Sequence, residues 1–487
     1  MTTLRRLDYY EAFNKQKRKT SPQTAAGPAA AYDPEMPRLP LCSLLSLLLL
    51  VTVGPAFSAE LAYKPAGVGN PLQGLVPYDN DWAAYHAERG SRSFPHTLEF
   101  CYFGLAELAS QPGRFDFAAF DAKLDAIAGR GHQAVVRIYM EFPGRTNGVP
   151  AWLEEQGVAV TRWNSDAANE FEQGRIATPD YDDPRTRQLL TEFIAALGSR
   201  YDGDPRLGFL TAGLMGLWGE WHNYPRSELF ASKPTQSLVL DAFAAAFDET
   251  PVQLRYPAGD AHLQYVRNTG RGFGYHDDSF AFGTLDTGRE ADNWFFMPLM
   301  SRADALDIWK QYPIGGEIRP EVWGKIFDAP AGQPSLAGER AQDFAECVDA
   351  THVTWLMDSG LNGWGAEPPS DTRWTSATDR VARMGYEFHV SDATRQDTAL
   401  SVTIRSTGVA PLYHDWLPVL GDGEAEVATD WSLVGLLPGE SRTFRATLPA
   451  GFGPVRMQIP NALETGPPIR FANATQDRDA AGWVSLE

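Results

Sequence analysis

Leu210-Thr211-Ala212-Gly213-Leu214-Met215-Gly216-Leu217-Trp218-Gly219-Glu220-Trp221-His222 runs without a charge until it meets a glutamate between two indoles. An apolar run of this kind suits a strand covered on both faces, because a parallel sheet flanked by helices has no solvated side. A carboxylate at its end is presented at the C-terminal mouth of the sheet, where barrels of parallel strands keep their reactive groups.

Working outward from this strand, short β-rich runs alternate with helical patterns from Asn70 to about Asp358. The candidate strands are Gln73–Pro77, Thr97–Phe103, Ala134–Met140, Gly208–Leu214, Val252–Tyr256, Gly272–His276, Pro313–Glu317 and His352–Met357. Eight is the number a closed (β/α)₈ barrel requires. Helical spacing of apolar residues marks Phe117–Gly129 and Arg185–Tyr201, Ala-rich composition marks Leu238–Phe247, and Arg302–Tyr312 and Gly338–Ala350 complete the alternation. Beyond Pro368-Pro369 the pattern turns to β, with Tyr386–Val390, Ala399–Ser406, Ser441–Leu448 and Val455–Ile459 separated by turn residues such as Pro438-Gly439. The expected α/β architecture is therefore a barrel over residues 60–370 followed by a small antiparallel β-sandwich over residues 380–487.

The 487 residues are 43% hydrophobic and 12% aromatic, enough for one large core and a second module. A formal charge of −20 excludes a nucleic-acid or anionic-membrane partner, since phosphate contact needs clustered Lys and Arg. A neutral ligand meets no such obstacle, and fourteen Trp with seventeen Tyr supply flat faces on which sugar rings stack. Within residues 1–59, Met36-Pro37-Arg38, the apolar run Leu44 to Val53 and the small residues Ala56-Phe57-Ser58 read as a signal peptide with Met36 as the start, too short to span a membrane. Cleavage is expected after Ser58 or Ala59, with export to the periplasm or beyond. The exported part keeps Cys101 and Cys347, which either pair in an oxidising compartment or remain buried thiols.

A glycosidic bond breaks through an oxocarbenium-like transition state, which wants one protonated carboxyl at the leaving oxygen and one ionised carboxylate near the anomeric carbon. Glu220, flanked by Trp218 and Trp221, occupies the apolar setting that raises a carboxyl pKa, so it is read as the general acid/base. Glu317 ends the seventh strand behind Gly315-Gly316 and is read as the nucleophile of a retaining reaction. Arg137, Arg255 and Arg319 stand where they could pair with either acid. Glu99, Tyr102, Arg137, Glu141 and Arg255-Tyr256 are candidates to line the pocket by hydrogen bonding, together with Trp218, Trp221 and His222, while the polar cluster His276-Asp277-Asp278 could hold substrate, orient Glu317 or bind a cation, or else pair structurally. Trp364, just past the eighth strand, is a candidate sugar platform. No second His or Cys stands at a ligand spacing from His222, no Gly-rich phosphate loop is present, and no Gly-x-Ser-x-Gly turn occurs, so neither metal nor cofactor is called for.

The run Leu105-Ala106-Glu107-Leu108-Ala109-Ser110-Gln111-Pro112-Gly113-Arg114-Phe115-Asp116-Phe117, followed by Phe120-Asp121 and Gly131-His132-Gln133-Ala134-Val135-Val136-Arg137, resembles the second-strand region of clan A glycoside hydrolases. Pro150-Ala151-Trp152-Leu153 is similar to the loop after the third strand in β-galactosidase-like members. The resemblance covers residues 70 to about 365 and implies an acid/base at the end of the fourth strand and a nucleophile at the end of the seventh, which Glu220 and Glu317 match by order. Asn70-Pro71-Leu72-Gln73-Gly74, Trp218-Gly219-Glu220-Trp221 and Gly408-Val409-Ala410-Pro411-Leu412-Tyr413 resemble, more narrowly, an uncharacterised bacterial family of glycosidase-like barrels with a C-terminal sandwich. Clan A enzymes usually carry Asn before the acid/base, and this chain has Gly219. Two functions follow as expectations: an exported glycosidase acting on a saccharide, or a non-catalytic carbohydrate-binding or envelope protein that keeps the cleft without the chemistry.

Overall fold

The structure is a computed structural model that describes residues 56–79, 93–166, 173–328, 341–362 and 369–487. The apolar segment expected to direct export and the platform candidate Trp364 lie outside the described residues. Among the described residues no helix is long and apolar enough to cross a membrane.

Strand β1 is Ala56–Glu60. The barrel strands that follow are β2 (Gly74–Val76), β3 (Leu98–Gly104) and β4 (Gln133–Glu141). After a hairpin of β5 (Val160–Asp166) and β6 (Gln173–Pro179) come β7 (Leu207–Leu217), β8 (Val252–Leu254), β9 (Gly274–Phe280), β10 (Ile314–Ile318) and β11 (Val353–Met357). The eight barrel strands form one parallel sheet in the order β2-β11-β10-β9-β8-β7-β4-β3. A parallel bridge between Tyr78 and Phe100 closes it, with Phe100 N–H donating to Pro77 (2.8 Å) and Asp79 N–H donating to Phe100 (2.9 Å). The (β/α)₈ barrel expected from the alternation is what forms.

Helices Ala118–Ala128, Pro184–Tyr201, Lys233–Ala246 and Phe344–Thr351 pack around the sheet where the helical patterns place them. The helix expected over Arg302–Tyr312 is displaced: an α-helix runs over Phe296–Arg302, and a single 3₁₀ turn, Ile308–Lys310, follows. Asp304 takes a left-handed backbone (φ 54°), and Ala305 N–H returns to the Met300 carbonyl (2.9 Å), the geometry that stops a helix.

The C-terminal part holds two four-stranded antiparallel sheets. One joins β12 (Phe388–Gln396), β13 (Ala399–Ser406) and β16 (Ser441–Thr447) to β1; the other joins β14 (Val419–Gly421), β15 (Glu426–Ala428), β17 (Arg456–Gln458) and β18 (Val484–Ser485). Thus the second module draws one strand from ahead of the barrel, in register Ala56 with Gln396 through Glu60 with Asp392. The cleavage positions after Ser58 and Ala59 fall inside that strand. Tyr386 Oη donates to the Pro71 carbonyl (2.8 Å) and Tyr413 Oη to the Trp309 carbonyl (2.6 Å), pinning the module to the barrel. His414 reaches the N-terminal end of the sheet and packs edge-on against Phe209 (5.5 Å between centroids), leaving the opposite mouth as the open one.

Inside the barrel, Trp355 is fully buried among Phe100, Phe209 and His276, and its indole N–H donates to Gln253 Oε1 (3.0 Å). Cys101 in β3 and Cys347 in helix Phe344–Thr351 are separate buried thiols, and no disulfide joins them. Gly315 leaves the space the Trp355 ring fills: a Cβ there would lie 2.3 Å from Trp355 Cε2 and 2.7 Å from Gln253 Nε2. Gly315→Ala is therefore expected to lower stability by about 1–3 kcal/mol through overpacking. Chemical denaturation at neutral pH reads the loss, and an unchanged midpoint would refute this account of the floor.

Candidate active site

Glu220 sits on a turn held in a tight, left-handed backbone. Leu214, Gly216, Trp218, Gly219 and Trp221 all have φ between 53° and 79°. Non-glycine residues in this region cost about 1–3 kcal/mol each and persist where surrounding contacts over-determine them. Here Trp218 N–H donates to the Glu141 carbonyl (2.8 Å), Glu220 N–H to Leu217 (2.8 Å), and Trp221 N–H to Met215 (3.0 Å). Glu141 anchors the same turn from behind. Its carboxyl accepts from Thr178, from Tyr181 Oη (2.6 Å) and from Asn223 Nδ2 (2.7 Å), and the Gly216 N–H donates to Tyr181 Oη (3.0 Å). Burial outweighs these donors and pushes Glu141 up to about 7.

Gly219 explains the missing asparagine. Beyond its φ of 74°, a Cβ at this position would stand 2.9 Å from the Ile138 carbonyl oxygen and 3.2 Å from Gly213 Cα, both backbone atoms. Only glycine fits this conformation without strain.

Beneath Glu220 lies the buried guanidinium of Arg137, 2% exposed. It donates through Nη1 to Glu220 Oε1 (2.7 Å) and Tyr102 Oη (3.2 Å), and through Nε to Thr211 Oγ1 (3.0 Å). Its Nη2 reaches His276 Nε2 (3.1 Å). A guanidinium only donates, so His276 meets it with an unprotonated nitrogen. Burial and the charges of Arg137 and Arg255 agree with that, holding His276 well below its ordinary pKa.

His222 stands 3.6 Å from Glu220 Oε2 through Nε2, while its Nδ1 accepts the Tyr224 N–H (3.3 Å), which places the ring proton on the side of Glu220. For Glu220, burial favours the proton, but His222, Arg137 and Arg255 together overcome it and hold the carboxyl well below the usual range. The two indoles therefore do not make an apolar niche: Trp218 faces the cavity, but the carboxyl itself meets cations. Glu317, 6% exposed, has the opposite environment. Burial first, and then the negative charge of Glu220, raise it well above the ordinary glutamate value. These surroundings push the two carboxyls in the directions opposite to the expectation from the sequence, which took Glu220 as proton holder and Glu317 as anion.

Both acids open into one cavity of about 470 Å³ at the C-terminal mouth, a size typical of sites for small ligands. Of the residues singled out from the sequence, Tyr102, Trp218, Glu220, His222, Arg255 and Glu317 line it, and Arg137 and His276 support it from the barrel interior. Four others do not. Glu99 points out of the barrel and is held by Arg130 and His132, because the alternation of β3 sends Phe100 and Tyr102 inward. Glu141 is the anchor described above. Trp221 is buried behind the turn, its indole N–H on the Ala212 carbonyl and its ring against Phe230. Asp277 caps its own loop, accepting from Ser279 N–H (3.0 Å) and Thr284 Oγ1 (2.6 Å).

Asp278, one residue on, takes the lining position and pairs with Arg255, whose guanidinium lies 4.2 Å over the Tyr256 ring. Arg319 pairs with Glu321 (3.0 Å) instead of a central acid. Lining residues that no strand-end pattern marked are Tyr78, Phe142, Arg145, Trp294 and Trp323, all from loops or strand ends. Within the cluster His276-Asp277-Asp278, the period of two in β9 puts Asp278 on the same face as His276 and Asp277 on the other.

No protein-family model matches the sequence, and none of the curated proteins does. Among solved structures, the chain is similar to endo-glycoceramidase II from a Rhodococcus species in complex with a five-membered iminocyclitol, at 12% identity and a TM-score of 0.41, covering 80% of this chain and 100% of that one. It is similar also to Pseudomonas stutzeri endoglucanase Cel5A, at 12% identity and a TM-score of 0.37, covering 65% of this chain and 97% of that one.

The steric account of Gly219 has a direct consequence. Gly219→Asn is expected to lower the melting temperature and to abolish whatever activity the wild type shows, because the turn must shift Glu220 to admit a side chain. A variant as stable and active as wild type would refute it.

Proposed function

We propose that this cavity hydrolyses glycosidic bonds, with Glu220 and Glu317 as the working pair. The observation that carries the proposal is the pairing itself: two strand-end carboxyls in one cavity, one kept ionised by cations and the other kept protonated by burial and by its neighbour's charge. Paired acids with pKa values pushed apart are what an acid and an anion need in one reaction.

In the proposed cycle, Glu317 gives its proton to the leaving oxygen while Glu220 attacks the anomeric carbon, forming a glycosyl ester. Glu317, now ionised, takes a proton from water, whose oxygen displaces Glu220 and completes hydrolysis with net retention. Tyr102, Trp218 and His222 line the cavity around the acids as contacts for the sugar.

Screening the protein against a glycan panel tests this. Glu220→Gln and Glu317→Gln are each expected to reduce kcat by at least about 10³-fold on any substrate the wild type cleaves, and NMR of the fresh product is expected to show the retained anomer. Cleavage surviving both substitutions would sink the pair, and binding without turnover by wild type would favour a carbohydrate-binding barrel. The pH profile gives a second test. Activity requires Glu220 ionised and Glu317 protonated, so it is expected to persist below the usual carboxylate range and to fall as pH rises through the raised pKa of Glu317. Arg137→Met removes a cation from Glu220 and should move the acid limb upward; a limb that stays put would detach Arg137 from the titration.

Stability follows the same two signs. Glu220 is depressed, so its contribution is complete above the ordinary glutamate pKa and is lost as pH falls through its folded value. Glu317 is raised, so the folded state binds a proton the unfolded chain has released, and stability declines as pH rises from the ordinary value towards the raised one.

A further inference from the structure

Among the described residues, the cations lining the cavity are matched by carboxylates with one exception. Lys123 pairs with Asp79, Arg255 with Asp278, and Arg319 with Glu321, while Arg137 beneath the floor takes Glu220. Arg145 also lines the cavity, and among the described residues no carboxylate lies within ion-pair distance of it. It is nonetheless held in place. Its guanidinium lies 3.9 Å from the centroid of the Phe142 ring, and Nη1 donates to Tyr139 Oη (3.3 Å). That hydroxyl donates onward to Asn147 Oδ1 (2.8 Å), whose amide is bonded to Glu107.

An aromatic face and one hydroxyl thus position the fork and use one of its five N–H donors, and among the described residues no acceptor is bonded to the others. A guanidinium of this kind matches a carboxylate or sulfate through two parallel hydrogen bonds. The chain as a whole carries −20, which repels anions at a distance. A cation at the mouth of the site that has no carboxylate partner among the described residues runs against that background.

We propose that Arg145 is the subsite for an anionic substituent, a uronate carboxylate or a sulfate ester, and that the substrate is an acidic glycan. This rests on the assignment of Glu220 and Glu317 as the hydrolytic pair. Phe142 and Tyr139 preorganise the guanidinium, and the anion displaces only water from it.

Matched substrates test it: a hexuronate oligosaccharide against its neutral methyl ester, and a sulfated oligosaccharide against its desulfated counterpart. For one pair, wild type is expected to favour the charged member in kcat/KM, and Arg145→Gln to reduce that ratio by about 10-fold or more. Arg145→Lys, which keeps the charge but loses the fork, should give an intermediate ratio that falls further with added salt. The responding pair distinguishes carboxylate from sulfate. If nothing is cleaved, calorimetric titration of the same pairs separates the two assignments: a preference for the charged member that Arg145→Gln abolishes keeps the anion subsite while the hydrolytic one fails. Equal handling of charged and neutral members by wild type, or a ratio untouched by Arg145→Gln, overturns the proposal.

Discussion

A guanidinium that cannot release its proton, buried on the barrel's interior, is the constraint from which the site follows. Arg137 has to be met on every edge, and partners from three strands meet it: Tyr102 from β3, His276 from β9, and Thr211 and Glu220 from β7 and the turn at its end. Its demand for acceptors keeps His276 neutral and Glu220 ionised. The anion so fixed then acts on Glu317, which is buried and has no cation bonded to it among the described residues, and raises its pKa further. Removing one partner from a buried pair of this sort costs about 3–5 kcal/mol, since the other charge is left without compensation. Protonation of the cavity is thus a property of the network as a whole.

The second constraint is backbone strain at the end of β7. Left-handed residues at Leu214, Trp218 and Trp221 would relax if the turn were free, and they are held by hydrogen bonds to β4 and by the buried Glu141 cluster. The result is a rigid platform that aims Glu220 at the mouth and sends Trp221 to the rear. Gly219 belongs to that platform. The backbone passes so close to Ile138 and Gly213 that no side chain can be accommodated there without a shift.

At the other end of the sheet, Trp355 and Gln253 form the floor, and the C-terminal module, strengthened by β1, is bonded to the barrel through Tyr386 and Tyr413. This division agrees with a common property of such barrels, in which one end carries stability and the other chemistry.

The barrel was legible from the sequence because its signal is local: apolar runs of strand length, alternating with helical periods, need only neighbouring residues to be recognised. All eight strands lie within a few residues of where the runs place them. The helix after Phe295 was misplaced because its stop depends on one left-handed residue, Asp304, that no periodicity reveals. Position within the site was partly legible, as strand ends pointed to Glu220, Glu317, Tyr102 and Arg255, while His276-Asp277-Asp278 was legible only as a cluster, because which of its acids reaches the cavity depends on the inward parity of β9. The sequence by itself determined which carboxyls reach the mouth. Which of them is pushed towards holding the proton was decided only by tertiary structure, because charge acts through space and not along the chain: the guanidinium that helps to depress Glu220 lies 83 residues before it, and the anion that raises Glu317 is Glu220 itself, three barrel connections away.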